Sequence, residues 1–129
     1  MSVRLSIRIL GAVLYVISFF CTAVYSGNTE MLGYMCAAMT LIGQPFPFLI
    51  PFGAVNPLLL LYACSLPFTR ARRFRRMVAV AVLVLVPAAT AFIVAFGLRF
   101  GVGHLLWAAG IGLIVCPEFV EEPRAQPST

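Results

Sequence analysis

The sequence predicts an all-α fold, an integral membrane bundle of four transmembrane helices with a short outer helix and a proline-rich outer segment between spans one and two. Three observations predict it. Of 129 residues, 62% are hydrophobic and only 10% are charged, where a soluble domain carries about 25%. Apolar runs free of charge recur along the chain, some long enough to cross a bilayer. The basic residues are all arginines, and eight of the nine (Arg4, Arg8, Arg70, Arg72, Arg73, Arg75, Arg76 and Arg124) fall in three segments that four crossings put on one side, leaving Arg99 on the other. Cationic residues beside apolar spans mark the cytoplasmic side.

Residues 9–25, ILGAVLYVISFFCTAVY, form the first span. Its 17 uncharged residues reach about 25 Å at the helical rise, near the lower limit for crossing. Arg4 and Arg8 precede it, which keeps the N-terminus cytoplasmic. A cleaved signal peptide is the rival reading, with Val24-Tyr25-Ser26 as the cleavage site. Ser26 to Glu30 is an outer turn, with Asn28 or Thr29 as a helix cap and Glu30 in the first turn. The helix that follows, residues 30–43, spans only about 21 Å and packs into the bundle or lies in the outer interface.

Gln44 to Asn56 contains Pro45, Pro47, Pro51 and Gly53, which deny a regular helix. Unpaired backbone costs several kcal/mol per group in lipid, so this segment sits at the outer interface or under protein. Asn56-Pro57 is a helix start, asparagine as cap and proline at the first helical position. The second span therefore covers about 48–69, restarted at Asn56-Pro57, and ends in the arginine loop. The third, 77–98, has 22 uncharged residues and a kink at Pro87, which leaves the Leu83 carbonyl without a donor. The fourth, 101–119, carries His104 and Trp107 near its outer end and a small-residue face, Ala108-x-x-x-Gly112. Residues 120–129 read as a disordered cytoplasmic tail. Five crossings would follow if 30–43 and 48–69 both spanned, but the C-terminus would then leave the side that the arginine loop marks.

The residues supply little chemistry. No soluble recognition domain remains for nucleic acid, so the arginines read as a topology signal and as contacts to lipid headgroups through Arg70, Arg72, Arg73, Arg75 and Arg76. Cys21, Cys36, Cys64 and Cys116 show no C-x-x-C pair; buried thiols are the default, with a Cys21–Cys36 disulfide as the alternative on an oxidising outer side. His104, the single histidine, has no acidic partner in the membrane and reads as a hydrogen-bonded interfacial residue, not a metal or haem ligand. No span has an Asp, Glu, Lys or Arg at its middle, which argues against a proton-coupled exporter. Apart from His104, no base stands beside a serine or cysteine, which argues against an enzyme. No cofactor or metal is expected.

Two segments, Asn56-Pro57-Leu58-Leu59-Leu60-Leu61 and Gly103-His104-Leu105-Leu106-Trp107, resemble parts of small, uncharacterised four-span bacterial inner-membrane proteins. The resemblance implies four crossings and no particular chemistry. The expected function is a non-catalytic membrane binding protein of the cell inner membrane, with both termini cytoplasmic. It would be an accessory subunit of a membrane complex or an immunity protein. Gln44, Phe46, Phe48, Phe52 and Asn56 are the expected partner contact, the alternative being that these groups pack against the chain's own spans. The rival function is a small oligomeric transporter or channel, which requires a polar line through the spans.

Overall fold

A computed structural model of the chain describes residues 3–41 and 53–120. Among the described residues five α-helices and three short strands follow one another. They are α1 (Val3–Ser18), β1 (Thr22–Ser26), β2 (Thr29–Leu32), α2 (Gly33–Leu41), α3 (Val55–Ser65), α4 (Arg72–Ala95), β3 (Arg99–Phe100) and α5 (Val102–Val115). A 3-10 turn, Thr69–Ala71, leads into α4, and another, Cys116–Glu118, extends α5. The fold is mostly helical, as expected, but it is not all-α.

The departure begins at the first helix. It ends at Ser18, and residues 22–25, expected to continue it, lie in the strand Thr22–Ser26. Ser26-Gly27-Asn28-Thr29 is a two-residue hairpin turn with Gly27 at a φ of 59°. A left-handed first central residue suits a primed hairpin turn, whose twist matches the flanking strands. Tyr25 pairs with Glu30 and Ser26 with Thr29, and the register shifts between Thr22 and Val24. Thr29 and Glu30 thus belong to β2, and α2 starts at Gly33. On its other edge β1 pairs with β3, Val24 opposite Phe100 and Tyr25 opposite Arg99, to give the antiparallel order β2-β1-β3.

The helix ends follow local rules. α4 stops because Gly97 takes a φ of 68°. The Leu98 N–H then reaches the Ile93 carbonyl at 3.1 Å and the Gly97 N–H reaches Val94 at 3.0 Å, the two bonds of a Schellman cap. This places the helix end at Ala95, three residues short of the expected 98. Pro87 lies inside α4 and the helix continues through it. In α3 the cap position is Ala54, not Asn56, and Pro57 sits in the first turn, where its missing N–H breaks no helical bond.

α1 and α5 run antiparallel and touch at their backbones. A Cβ on Gly11 would lie 2.7 Å from the Gly110 carbonyl oxygen, and one on Gly110 would lie 2.7 Å from the Tyr15 nitrogen. Nothing lies within 4 Å of a Cβ at Gly112, so the close-contact face uses Gly110 and not the expected Ala108/Gly112 pair. α3, α4 and α5 share an apolar core of Val55, Leu59, Tyr62, Val78, Val82, Ile111 and Val115. Residues 55, 59 and 62 recur at the period that lines one helix face.

The outward surface is apolar as well. Leu10, Val16, Leu60, Leu61, Val84 and Val94 are all exposed. The stretch Thr69–Ala95 has a mean hydropathy of 2.7 over its most apolar window, of which 22% is buried. It is the one helix among the described residues long and apolar enough to cross a membrane; Val55–Ser65 and Val102–Glu118 are apolar but shorter.

The Gly11–Gly110 approach predicts a contrast. Gly110→Ala should lower stability by about 1–3 kcal/mol through overpacking, while Gly112→Ala should stay within about 0.5 kcal/mol. Thermal melting of the detergent-purified variants by circular dichroism measures both, and equal effects would contradict the contact.

Candidate functional site

Polar side chains gather inside the bundle at two levels. The first is the arginine end. Glu118, on the 3-10 turn that extends α5, has a side chain only 6% exposed. Its Oε2 accepts from Arg8 Nη2 at 3.2 Å and from the Tyr62 hydroxyl at 3.3 Å, and its Oε1 accepts from Arg75 Nε at 3.2 Å. Arg8 also donates to the Tyr62 hydroxyl at 3.1 Å, and its guanidinium lies 6.0 Å from the Tyr62 ring centre. Arg75 Nη1 donates to the Phe68 and Ser65 carbonyls at 2.8 and 3.3 Å. Each of these carbonyls also accepts a backbone N–H, Ser65 from Phe68 at 3.1 Å and Phe68 from Ala71 at 3.0 Å, so Arg75 is a second donor that holds the turn between α3 and α4. Arg4 donates to the Val120 carbonyl, which ties the start of α1 to the segment after α5. Arg8 Nε is buried with no acceptor among the described residues.

The second level lies nearer the sheet. Asn56 Oδ1 accepts from the Tyr15 hydroxyl at 3.0 Å and from Trp107 Nε1 at 3.1 Å. The indole nitrogen can only donate, which identifies the amide atom facing it as the oxygen. Thr90 Oγ1 donates to the Val86 carbonyl at 3.1 Å and lies 2.8 Å from His104 Nε2. With its one proton committed to Val86, Thr90 accepts from His104, so the neutral ring carries its proton on Nε2. His104 is buried, with ring centres of Trp107 at 5.4 Å and Phe100 at 6.0 Å. The histidine expected at the interface is thus an internal residue of the bundle.

Asn56, His104 and Trp107 also line a cavity of about 130 Å³. Phe19 of α1, Val24 of β1, Cys36 of α2, and Ala89 and Ile93 of α4 complete its wall. Burial pushes the Cys36 thiol up from its ordinary pKa, so at neutral pH it is a thiol and a weak nucleophile. All four cysteines are free. Among the described residues no three His, Cys, Asp or Glu side chains converge on a metal-sized point.

The residues singled out in the sequence fall in different places. Gln44, Phe46, Phe48 and Phe52 lie outside the described residues. Asn56 commits its carbonyl inside the bundle. Arg70, Arg72, Arg73 and Arg76 are exposed, whereas Arg75 is an internal staple and not a free headgroup contact. Glu118, which the sequence assigns no role, is the centre of the polar network. Its only early signal is an acidic residue just past an apolar span that ends near the arginine side.

Comparison with known protein families, curated proteins and solved structures finds no match to this chain.

Removing the Glu118 carboxylate would leave two guanidiniums facing each other. Glu118→Ala should therefore destabilise the protein by about 3 kcal/mol, the low end for a broken buried pair, because Arg8 keeps 24% of its side chain exposed. Tyr62→Phe removes a single hydroxyl and should cost about 1 kcal/mol. Chemical unfolding in mixed micelles ranks the two, and the reverse order would contradict Glu118 as the hub.

Proposed function

We propose that this chain is a non-catalytic integral membrane binding protein of the cell inner membrane, an accessory subunit of a larger complex or an immunity protein. The observation that carries this reading is where the polar groups are committed. Glu118 is taken by Arg8, Arg75 and Tyr62, and the Thr90 hydroxyl proton by the Val86 carbonyl. None of these is left as an acid, base or nucleophile for turnover. What the chain offers outward is apolar surface with a basic end.

In this reading α1, α3, α4 and α5 are the four crossings, with both termini cytoplasmic. Two facts support it. Arg8 and Arg75 meet at one carboxylate, which gathers the N-terminal helix and the arginine loop at one end of the bundle. Arg99 sits in β3, beyond the opposite end of α4. The short helices are accommodated by their flanking turns, by local thinning of the bilayer and by snorkelling of flanking side chains. The four-span resemblance of the Asn56 and Gly103 segments agrees with the same topology. Arg70, Arg72, Arg73 and Arg76 then face anionic headgroups.

The partner contact is the outer segment. Gln44, Phe46, Phe48 and Phe52 supply it, while Asn56 anchors the following helix from inside. Prolines lower the entropy lost when such a segment is fixed, and aromatic residues dominate interface energies. The cavity favours one second reading, a small oligomeric transporter, because His104 and Asn56 line it.

Topology is tested by impermeant thiol labelling of intact cells. In a cysteine-free background, Asn28→Cys should label from outside and Ala71→Cys should not; the opposite pattern would reverse the orientation. For function, Phe46→Ala with Phe48→Ala should abolish co-purification of the partner at normal membrane abundance. Loss of abundance would make the segment internal packing and remove the contact surface. A purified chain that moves solute across vesicles by itself would favour the transporter.

A further inference from the structure

We infer that the cavity beside Asn56 and His104 is a binding site for one small neutral aromatic molecule bearing a hydroxyl group, a phenol in chemical class. Size comes first. The cavity measures about 130 Å³, and an engineered apolar cavity of about 150 Å³ takes benzene. A single six-membered ring matches that volume. Most of the wall is apolar, with Phe19, Ala89 and Trp107 among its residues. An aromatic guest gains both burial and ring contact against such a wall.

Charge comes second. Among the described residues no arginine or glutamate lines the cavity. An ion would be stripped of water without a counter-charge, so the ligand is neutral. His104 and Cys36 are the cavity's two metal-ligating side chains among the described residues, fewer than the three or four protein ligands of a zinc site.

Hydrogen bonding completes the class. Asn56 commits its carbonyl oxygen to Tyr15 and Trp107, which leaves the amide N–H2 as a donor. His104 commits Nε2–H to Thr90, which leaves Nδ1 as an acceptor. A hydroxyl is one group that accepts from the first and donates to the second. A plain hydrocarbon leaves both unmet, which disfavours it by the desolvation of those groups. The inference is independent of the partner contact at residues 44–52.

The full chain in detergent provides the test, with phenol and benzene as probes. Trp107 is the single tryptophan, so its emission, excited where tyrosine and phenol do not absorb, reports the cavity. Phenol should change that emission saturably, with benzene binding roughly ten-fold more weakly. Ala89→Leu, which fills the cavity, should abolish the response. In a variant that keeps only Cys36, saturating phenol should slow maleimide labelling several-fold. A non-saturating response that is the same in Ala89→Leu would mean partition into the micelle and would overturn the site. Equal affinity for phenol and benzene would overturn the polar pairing and the class with it. If Ala89→Leu does not fold, Cys36 decides: no protection by phenol overturns the proposal.

Discussion

The Glu118 carboxylate is the constraint on which the rest of the bundle depends. A charge almost removed from water must be paired, and Glu118 finds its pairs on two different helices, Arg8 of α1 and Arg75 of α4. Tyr62 of α3 closes the group from below. One side chain thus sets the height of four helices at one end. The Ser65 and Phe68 carbonyls complete the arrangement, because the same Arg75 that meets Glu118 also donates to both and so ties the turn after α3 to α4. The charges act on orientation more than on net stability, since a buried ion pair gains little over an apolar replacement of the same shape.

With that end set, the remaining contacts follow along the helices. Arg8 meeting Glu118 puts Gly11 against Gly110 one turn further on, where two backbones touch without side chains between them. A turn beyond, Tyr15 and Trp107 meet on the Asn56 carbonyl. In lipid, the solvent we propose for this chain, helices gain little from burying apolar surface against one another. Close backbone approach and internal hydrogen bonds carry the association there. The sequence of contacts along α1 (ion pair, glycine contact, amide bridge) is that kind of interface. The exposed leucines and valines on the other faces need no protein partner in such a solvent.

How legible the fold was depends on the range of the signal. The turn at Gly27-Asn28 is written in two residues, yet the strands flanking it were absorbed into an apolar span and an outer helix. An apolar run of four or five residues reads the same in a strand and in a helix. Here β3, a strand of two residues far along the chain, is needed to complete the sheet. Gly97 falls inside the expected third span, and its Schellman geometry shortens α4 from the expected 98 to Ala95. Of the candidate site residues, Asn56 was picked as a cap or partner contact because it precedes proline. Its actual partners, Tyr15 and Trp107, are 41 and 51 residues away. Local rules cannot see such a bridge.

By itself, the sequence determined the quantities that add up along the chain. These are a composition more apolar than that of a typical soluble domain, a mainly helical fold, an arginine loop between two apolar stretches, and, within 77–98, most of one helix long and apolar enough to cross a membrane. Each rests on residues close in sequence, so each survives ignorance of the fold. Only the tertiary structure decided which polar groups meet. Glu118 looks like the polar end of the fourth span until α1 and α4 bring two guanidiniums to it. His104 looks interfacial until Thr90 is placed 2.8 Å from its ring. Gly112 looks like a packing residue until α1 is seen to pass over Gly110. The physical reason is common to all three. Hydrogen bonds and close contacts act over a few ångströms of space, and the spacing of residues along the chain does not record that distance.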